Sequence, residues 1–285
     1  MYTLKKQIKE DEKLRKSFNE LALNTFDISF EAWYQNGFWT DRYIPYVLIE
    51  GDSVIANVSV NLIDIIDQGL NKRYVQLGTV MTKKEYHHQG LAKQLMNEVL
   101  KDWQDQCDGI YLFANENALK FYPKFSFIKA REYQYRFLVQ PKTGDFHKLD
   151  MTLDKNQKLL KNYYTLGNPY SSFSMKENFG LLMFYCLDSL KECVYYSKQF
   201  DLIVIVEQLN KTLLCYDIFG KTDTPLEKIA AFFADDDHPC ITLGFTPKET
   251  IGYTVVPLEE NHLFVSKKML IGWDEQKMFP LLSHA

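Results

Sequence analysis

The passage from strand to helix between Leu77 and Trp103 constrains this chain more than any other stretch. Leu77-Gly78-Thr79-Val80-Met81-Thr82 closes a strand that begins at Tyr74, and Lys83 to Gln89 form a basic loop. Gly90 then opens the clearest helix of the sequence, in which Leu91, Ala92, Leu95, Met96, Val99, Leu100 and Trp103 recur at 3.6-residue spacing. Such a helix start is an anion site. Its first backbone N–H groups lack intrahelical partners, the helix dipole adds about half a positive charge, and Gly90 and Ala92 leave room for a phosphate to approach the backbone. Lys83, Lys84, Lys93, His87 and His88 add positive charge. The competing reading is that Gly90 only ends a loop and the lysines are solvated. Neither a P-loop pattern (G-x-x-x-x-G-K-S/T) nor a dinucleotide fingerprint (G-x-G-x-x-G) is present.

The elements around this passage alternate between helix and strand. Residues 11–23 read as a helix with Leu14, Phe18, Leu21 and Ala22 near one face, followed by an aromatic-rich stretch from Phe26 to Tyr43. Tyr46–Ile49 and Val54–Val60 flank Glu50-Gly51-Asp52-Ser53, a hairpin signature. A strand at Ile110–Phe113, a short helix near Asn117–Tyr122 and further strand from Phe127 to Val139 complete the first half. Gln140 to Asp145 have linker composition, which places a domain boundary near there: residues 1–143 and 144–285. The second half opens with helical patterns. It continues with a hairpin (Leu202–Glu207, a turn at Leu209-Asn210-Lys211, Thr212–Phe219), a helix after Pro225, a strand at Cys240–Phe245 and short strands near Tyr253 and Leu263. Hairpin, helix, strand is the order of the first half, compatible with a diverged repeat or with coincidence. The expected class is α/β in two domains.

Charge and composition remove several classes of function. Residues 1–150 carry 20 Lys+Arg and 20 Asp+Glu, and residues 151–285 carry 13 and 17, so the net charge of −4 lies wholly in the second half. A chain without a basic excess in either half is not built for nucleic acid. Apolar runs such as Leu202–Val206 are far shorter than the roughly 18 residues that span a bilayer, and the first residues lack a signal peptide's apolar core, so a cytoplasmic protein without a membrane partner is expected. Five cysteines with no C-x-x-C pair indicate neither a disulfide framework nor a zinc ribbon. No metal is expected: Asp235-Asp236-Asp237-His238 reads as a solvated loop, and His87-His88 point different ways on any regular element.

About thirty residues after the basic loop comes Ala114-Asn115-Glu116-Asn117-Ala118-Leu119-Lys120-Phe121-Tyr122-Pro123-Lys124-Phe125-Ser126-Phe127. The two stretches together closely resemble the GCN5-related N-acetyltransferase (GNAT) family over roughly residues 15–140. In that family an R/Q-x-x-G-x-G/A loop after the fourth strand holds the pyrophosphate of acetyl-CoA, and a later N-x-x-A-x-x-x-Y-x-x-x-G-F-like segment brings a tyrosine beside the thioester. Here the loop is His87-His88-Gln89-Gly90-Leu91-Ala92, and the later segment is Asn115, Ala118, Tyr122 and Phe125-Ser126-Phe127; His87 replaces Arg or Gln, and Ser126 replaces Gly. The resemblance implies a mixed, mostly antiparallel sheet flanked by helices in residues 1–143. It also implies a degenerate, smaller GNAT-like α/β half in 144–285 that shapes the substrate site without binding CoA.

The resemblance further implies acetyl transfer from acetyl-CoA to an amine by direct attack. Val80, Met81, Thr82, His87, His88, Gln89, Gly90, Leu91, Ala92, Lys93, Asn115, Asn117, Ala118 and Tyr122 would hold the cofactor. Tyr122 would protonate the departing thiolate, and the Val80 amide would polarise the thioester carbonyl. Residues Tyr74–Val80 contain no carboxylate to serve as base. Some tandem relatives aim the chain terminus into the site, and the apolar, proline-bearing ending Met278–Ala285 makes Ala285 a candidate, beside a buried tail or a water-relayed base. Trp33, Tyr34, Phe38 and Trp39 stand where such proteins build the acceptor wall, unless they are core. A small-molecule or peptide amine fits these features. A silent acyl-CoA-binding or regulatory module is the alternative, and the second half could instead serve as a dimerisation surface in a homo-oligomer.

Overall fold

The computed structural model describes residues 2–209, 212–270, 273 and 276–285; Asn210 and Lys211 of the expected hairpin turn lie outside them. The strands are β1 (Thr3–Lys6), β2 (Tyr43–Glu50), β3 (Ser53–Asp67), β4 (Leu70–Thr82), β5 (Gly109–Phe113), β6 (Phe127–Lys129), β7 (Tyr133–Leu138), β8 (His147–Lys148) and β9 (Ser171–Lys176). They continue as β10 (Val194–Ser197), β11 (Leu202–Leu209), β12 (Thr212–Gly220), β13 (Cys240–Leu243), β14 (Thr246–Pro247), β15 (Thr254–Pro257) and β16 (Leu263–Ser266). The helices are α1 (Glu12–Phe26), α2 (Glu31–Gln35), α3 (Leu91–Trp103), α4 (Asp154–Leu166), α5 (Phe179–Cys186), α6 (Leu226–Ala230) and α7 (Lys267–Leu270).

Two mixed sheets result, flanked by helices. One runs β1-β2-β3-β4-β5-β16-β6, with β9 and β14 joined to the far end of β3, and the other runs β15-β7-β13-β12-β11-β10-β8. In the first, β4 is antiparallel to β3 and parallel to β5; in the second, β12 is antiparallel to β11 and parallel to β13. The strands after these cores are exchanged. β7, from the first half, pairs with β13 and β15, while β16, from the second, lies between β5 and β6. The stretch 127–139 thus divides into β6 and β7 in different sheets, and the chain crosses the expected 143/144 boundary in both directions.

The helices bury the faces their spacing dictates. α3 places Leu91, Leu95, Met96 and Val99 against Val58, Val60, Val75 and Leu77 of the first sheet. Each such side chain contributes about 1.5–3 kcal/mol. α1 starts where the Asp11 side chain accepts a hydrogen bond from the Leu14 amide at 3.2 Å. It buries Leu14, Phe18, Leu21 and Ala22 beside Trp33, Trp39 and Tyr43. Among the described residues no helix is long and apolar enough to cross a membrane, and no group of three His, Cys, Asp or Glu is placed to hold a metal ion. The five cysteines are free thiols, four of them buried.

Candidate active site

β4 and β5 pair only from Tyr74–Leu77 to Gly109–Leu112, so from Gly78 onward the backbone of β4 has no partner on that side. A bulge on the other side drives this divergence: the β3–β4 register passes from Asn57↔Met81 to Ser59↔Gly78, and Thr79 is left-handed at φ 44°. A buried polar cluster holds the bulge. The Tyr43 and Thr79 hydroxyls lie 2.8 Å apart, Ser59 Oγ donates to Tyr43 Oη at 2.9 Å, and Asn57 Nδ2 donates to the Thr79 carbonyl at 2.8 Å.

Two cavities meet at the opening. A groove of about 680 Å³ runs along Val80, Met81 and Thr82, past His87, His88 and Gly90, to Leu91, Ala92 and Lys93, and is closed by Asn115, Asn117, Ala118 and Tyr122. These are the residues expected to hold the cofactor, except Gln89. Its side chain is engaged elsewhere, accepting from Tyr2 Oη at 3.0 Å and donating to the Glu85 carbonyl at 3.4 Å. Gly90 caps α3 at φ 79°, where L side chains are strained, and no side chain caps the helix, which leaves its first amides toward the groove. His87 turns its Nε2 to the Thr82 carbonyl at 2.8 Å. Ser126, where the family pattern has glycine, takes the left-handed conformation at φ 65°.

The second cavity, of about 410 Å³, shares Val80, Asn115 and Tyr122 with the groove. Its walls are mainly aromatic: Phe30, Trp33 and Tyr43 from the first half and Phe184 and Tyr185 from α5. Trp33 Nε1 donates to the Gly180 carbonyl at 2.6 Å, tying this wall to α5. Of the four aromatics expected there, only Trp33 lines this cavity. Trp39 is 3% exposed and stacks on Trp33 within the core, Tyr34 lies under the Arg15 guanidinium, and Phe38 faces a separate cavity against Phe179. Tyr122 is buried between Phe121 and Phe264 of β16, and desolvation pushes its phenol up to about 12, so it is protonated at neutral pH.

The last residues thread between the sheets to this cavity. Tyr133 donates its amide to the Lys277 carbonyl, Thr246 Oγ1 donates to the Met278 carbonyl at 3.1 Å, and the Phe279 amide donates to Glu132 Oε1 at 2.8 Å. Phe279 stacks on Tyr111 with centroids 3.7 Å apart, and the His284 ring stacks on Phe113 at 4.0 Å. Tyr185 Oη donates to the His284 carbonyl. Gln76 Nε2 donates to the Ala285 oxygen at 3.3 Å, and a Cβ on Gly78 would lie 2.6 Å from that oxygen. Desolvation pushes the His284 imidazole down to about 4, leaving it neutral. No Asp or Glu side chain lines either cavity among the described residues.

Sequence reasoning missed Gln76, Asn61 and His284, and it missed the α5 wall of Leu181, Phe184 and Tyr185. Gln76 and Asn61 carried a signal, as polar residues inside apolar strands; α5 is apolar all round and reveals no preferred face.

A search of curated proteins by sequence finds no match. Among solved structures the chain is similar to a conserved protein of Enterococcus faecalis described as a probable N-acyltransferase: 18% identity, 93% of this chain, 72% of that one, TM-score 0.63. It is also similar to a GCN5-related N-acetyltransferase from Kribbella flavida (12%, 93% and 71%, 0.58) and to Eis1 from Mycobacterium abscessus (14%, 95% and 74%, 0.57). At these identities the likeness is one of fold. Residues 9–127 match the acetyltransferase (GNAT) family, and that part of the chain, with the diverging strands and the open helix start, is a GNAT acetyltransferase-family domain.

Proposed function

We propose that the protein is an N-acetyltransferase that moves the acetyl group of acetyl-CoA to a primary amine in a ternary complex. The observation that carries this reading is the meeting of the groove and the aromatic cavity at Val80, Asn115 and Tyr122. The pyrophosphate would lie on the open amides of α3 beside Lys93, and the pantetheine would pair with the free edge of β4 at Val80 and Thr82. The thioester would then sit at the junction, with the amine arriving from the aromatic side.

In the step itself, the neutral amine nitrogen bonds to the acetyl carbon and the C–S bond breaks. The amine proton leaves to a base, and the CoA thiolate takes the proton of Tyr122. We place the acceptor nitrogen beside Ala285, whose oxygen accepts from Gln76 Nε2, and leave the proton to a water-relayed base, because no side-chain carboxylate reaches the cavity among the described residues. Residues 144–285 would act as a degenerate GNAT-like half that supplies α5 and the tail, without a CoA loop of its own.

Calorimetric titration with acetyl-CoA and with CoA, on the natural protein and on Gly90→Trp, tests the cofactor site. Binding lost in the variant supports it, and absence of binding to the folded natural protein overturns it. Binding with no transfer to any amine would leave a silent acyl-CoA-binding module.

A further inference from the structure

The charge and shape of the aromatic cavity select among amines. No Asp, Glu, Lys or Arg side chain lines it among the described residues, and its imidazole, His284, is neutral. The polar groups are amides and hydroxyls, chiefly Asn61, Gln76, Thr79 and Asn115. Gln76 is 2% exposed; its Nε2 serves the Ala285 oxygen, while its Oε1 has no hydrogen-bond partner. The volume of about 410 Å³ is near the low end of the roughly 300–1,000 Å³ typical of small-molecule sites.

We infer that the acceptor is a compact arylalkyl monoamine, its ring held among Phe30, Trp33, Tyr43 and Phe184 and its amine turned to Gln76 and Ala285. This rests on the transferase reading above. A second ammonium, as in a polyamine or an aminoglycoside, would be desolvated in this cavity without a carboxylate to pair with, and aromatic faces offset only part of that cost. An acceptor bearing its own carboxylate, such as a free amino acid, would meet no cation.

The test uses three amines with the full-length protein. 2-Phenylethylamine, phenylalanine (which adds one carboxylate) and spermidine (a flexible polycation) are compared in acetyl-CoA turnover and, by calorimetry, in binding to the CoA-loaded protein. The expected result is at least tenfold higher kcat/KM and tighter binding for 2-phenylethylamine. Ile28→Asp, a carboxylate placed at the half-buried rim of the cavity, should shift the preference toward spermidine by about tenfold. Equal or better use of spermidine or phenylalanine by the natural protein overturns the inference and leaves the transferase reading intact. Selective binding of 2-phenylethylamine with no turnover of any of the three amines overturns the transferase reading and, with it, the assignment of this amine as acceptor. Failure of 2-phenylethylamine to bind overturns the inference.

Discussion

Gly78→Ala is the smallest change that separates the role of Ala285 from the stability of the fold. Gly78 is not among the residues with positive φ, so alanine fits the backbone and the obstacle is steric. The new Cβ would lie 2.6 Å from the Ala285 oxygen, 3.1 Å from its carbonyl carbon and 3.2 Å from Asn61 Nδ2. To reach an ordinary contact of 3.4 Å the Ala285 oxygen must retreat by roughly 0.8 Å. A misplacement of about 1 Å at a reacting group lowers the rate about 100-fold, equivalent to roughly 2.7 kcal/mol of transition-state stabilisation. The clash is local, so the fold should lose no more than the roughly 1–3 kcal/mol of an overpacked site. The expected outcome in a coupled thiol-release assay is a kcat lowered about 100-fold, with the KM for acetyl-CoA within about twofold of the natural protein. An unchanged kcat in the folded variant would refute the placement of the acceptor nitrogen beside Ala285.

Three further outcomes follow from the same geometry. Tyr122→Phe removes the protonated phenol, and kcat should fall by about 10²–10⁴-fold while calorimetric affinity for acetyl-CoA stays the same; a full-rate variant would remove Tyr122 from the chemistry. Gly90→Trp places a bulky side chain at φ 79° beside the groove and should weaken acetyl-CoA binding at least tenfold with far-ultraviolet circular dichroism unchanged; undiminished affinity would move the pyrophosphate elsewhere. Burial pushes the carboxyls of Glu132 and Asp217 up to about 7, against about 4 in an unfolded chain. The folded state therefore holds protons the unfolded state has released between about pH 4 and 7, and stability falls as pH rises through that window, by roughly 4 kcal/mol per group. The urea midpoint should drop from pH 5.5 to pH 8, and Glu132→Gln should flatten the drop; a midpoint that rises over this range would contradict it.

The elements legible in the sequence were those whose signal is local. The face of α3, the β2–β3 hairpin and the glycine opening α3 are set by spacing and turn chemistry within a dozen residues. The residues of the groove were legible for the same reason, since they come from two short stretches. The aromatic stretch misled at Tyr34, Phe38 and Trp39 because a stripe of large apolar residues looks alike in core and in wall. Only the packing of Trp33 against α5 distinguishes it from Trp39 beneath it. β8 and β14 have two residues each and are too short to show an alternation; among the described residues β14 pairs with β9. Ser126 shows how a departure from a motif is absorbed: a backbone that needs φ 65° there is kept at modest strain by a residue other than glycine.

The exchange of β7 and β16 was hidden from local reading altogether, and it decides how the candidate site is assembled. β16 fills the slot between β5 and β6, and its Phe264 ring stands 6.0 Å from that of Tyr122. α5 closes the aromatic cavity, and the last residues reach Gln76 across 209 positions of sequence. A fragment ending at residue 143 would keep β7 without the sheet it joins and would leave β5 and β6 with facing edges unpaired, which are the conditions for misassociation rather than for an independent domain. The GNAT-family stretch at residues 9–127 supplies the groove, while the cavity beside it depends on strands and helices that lie outside that stretch.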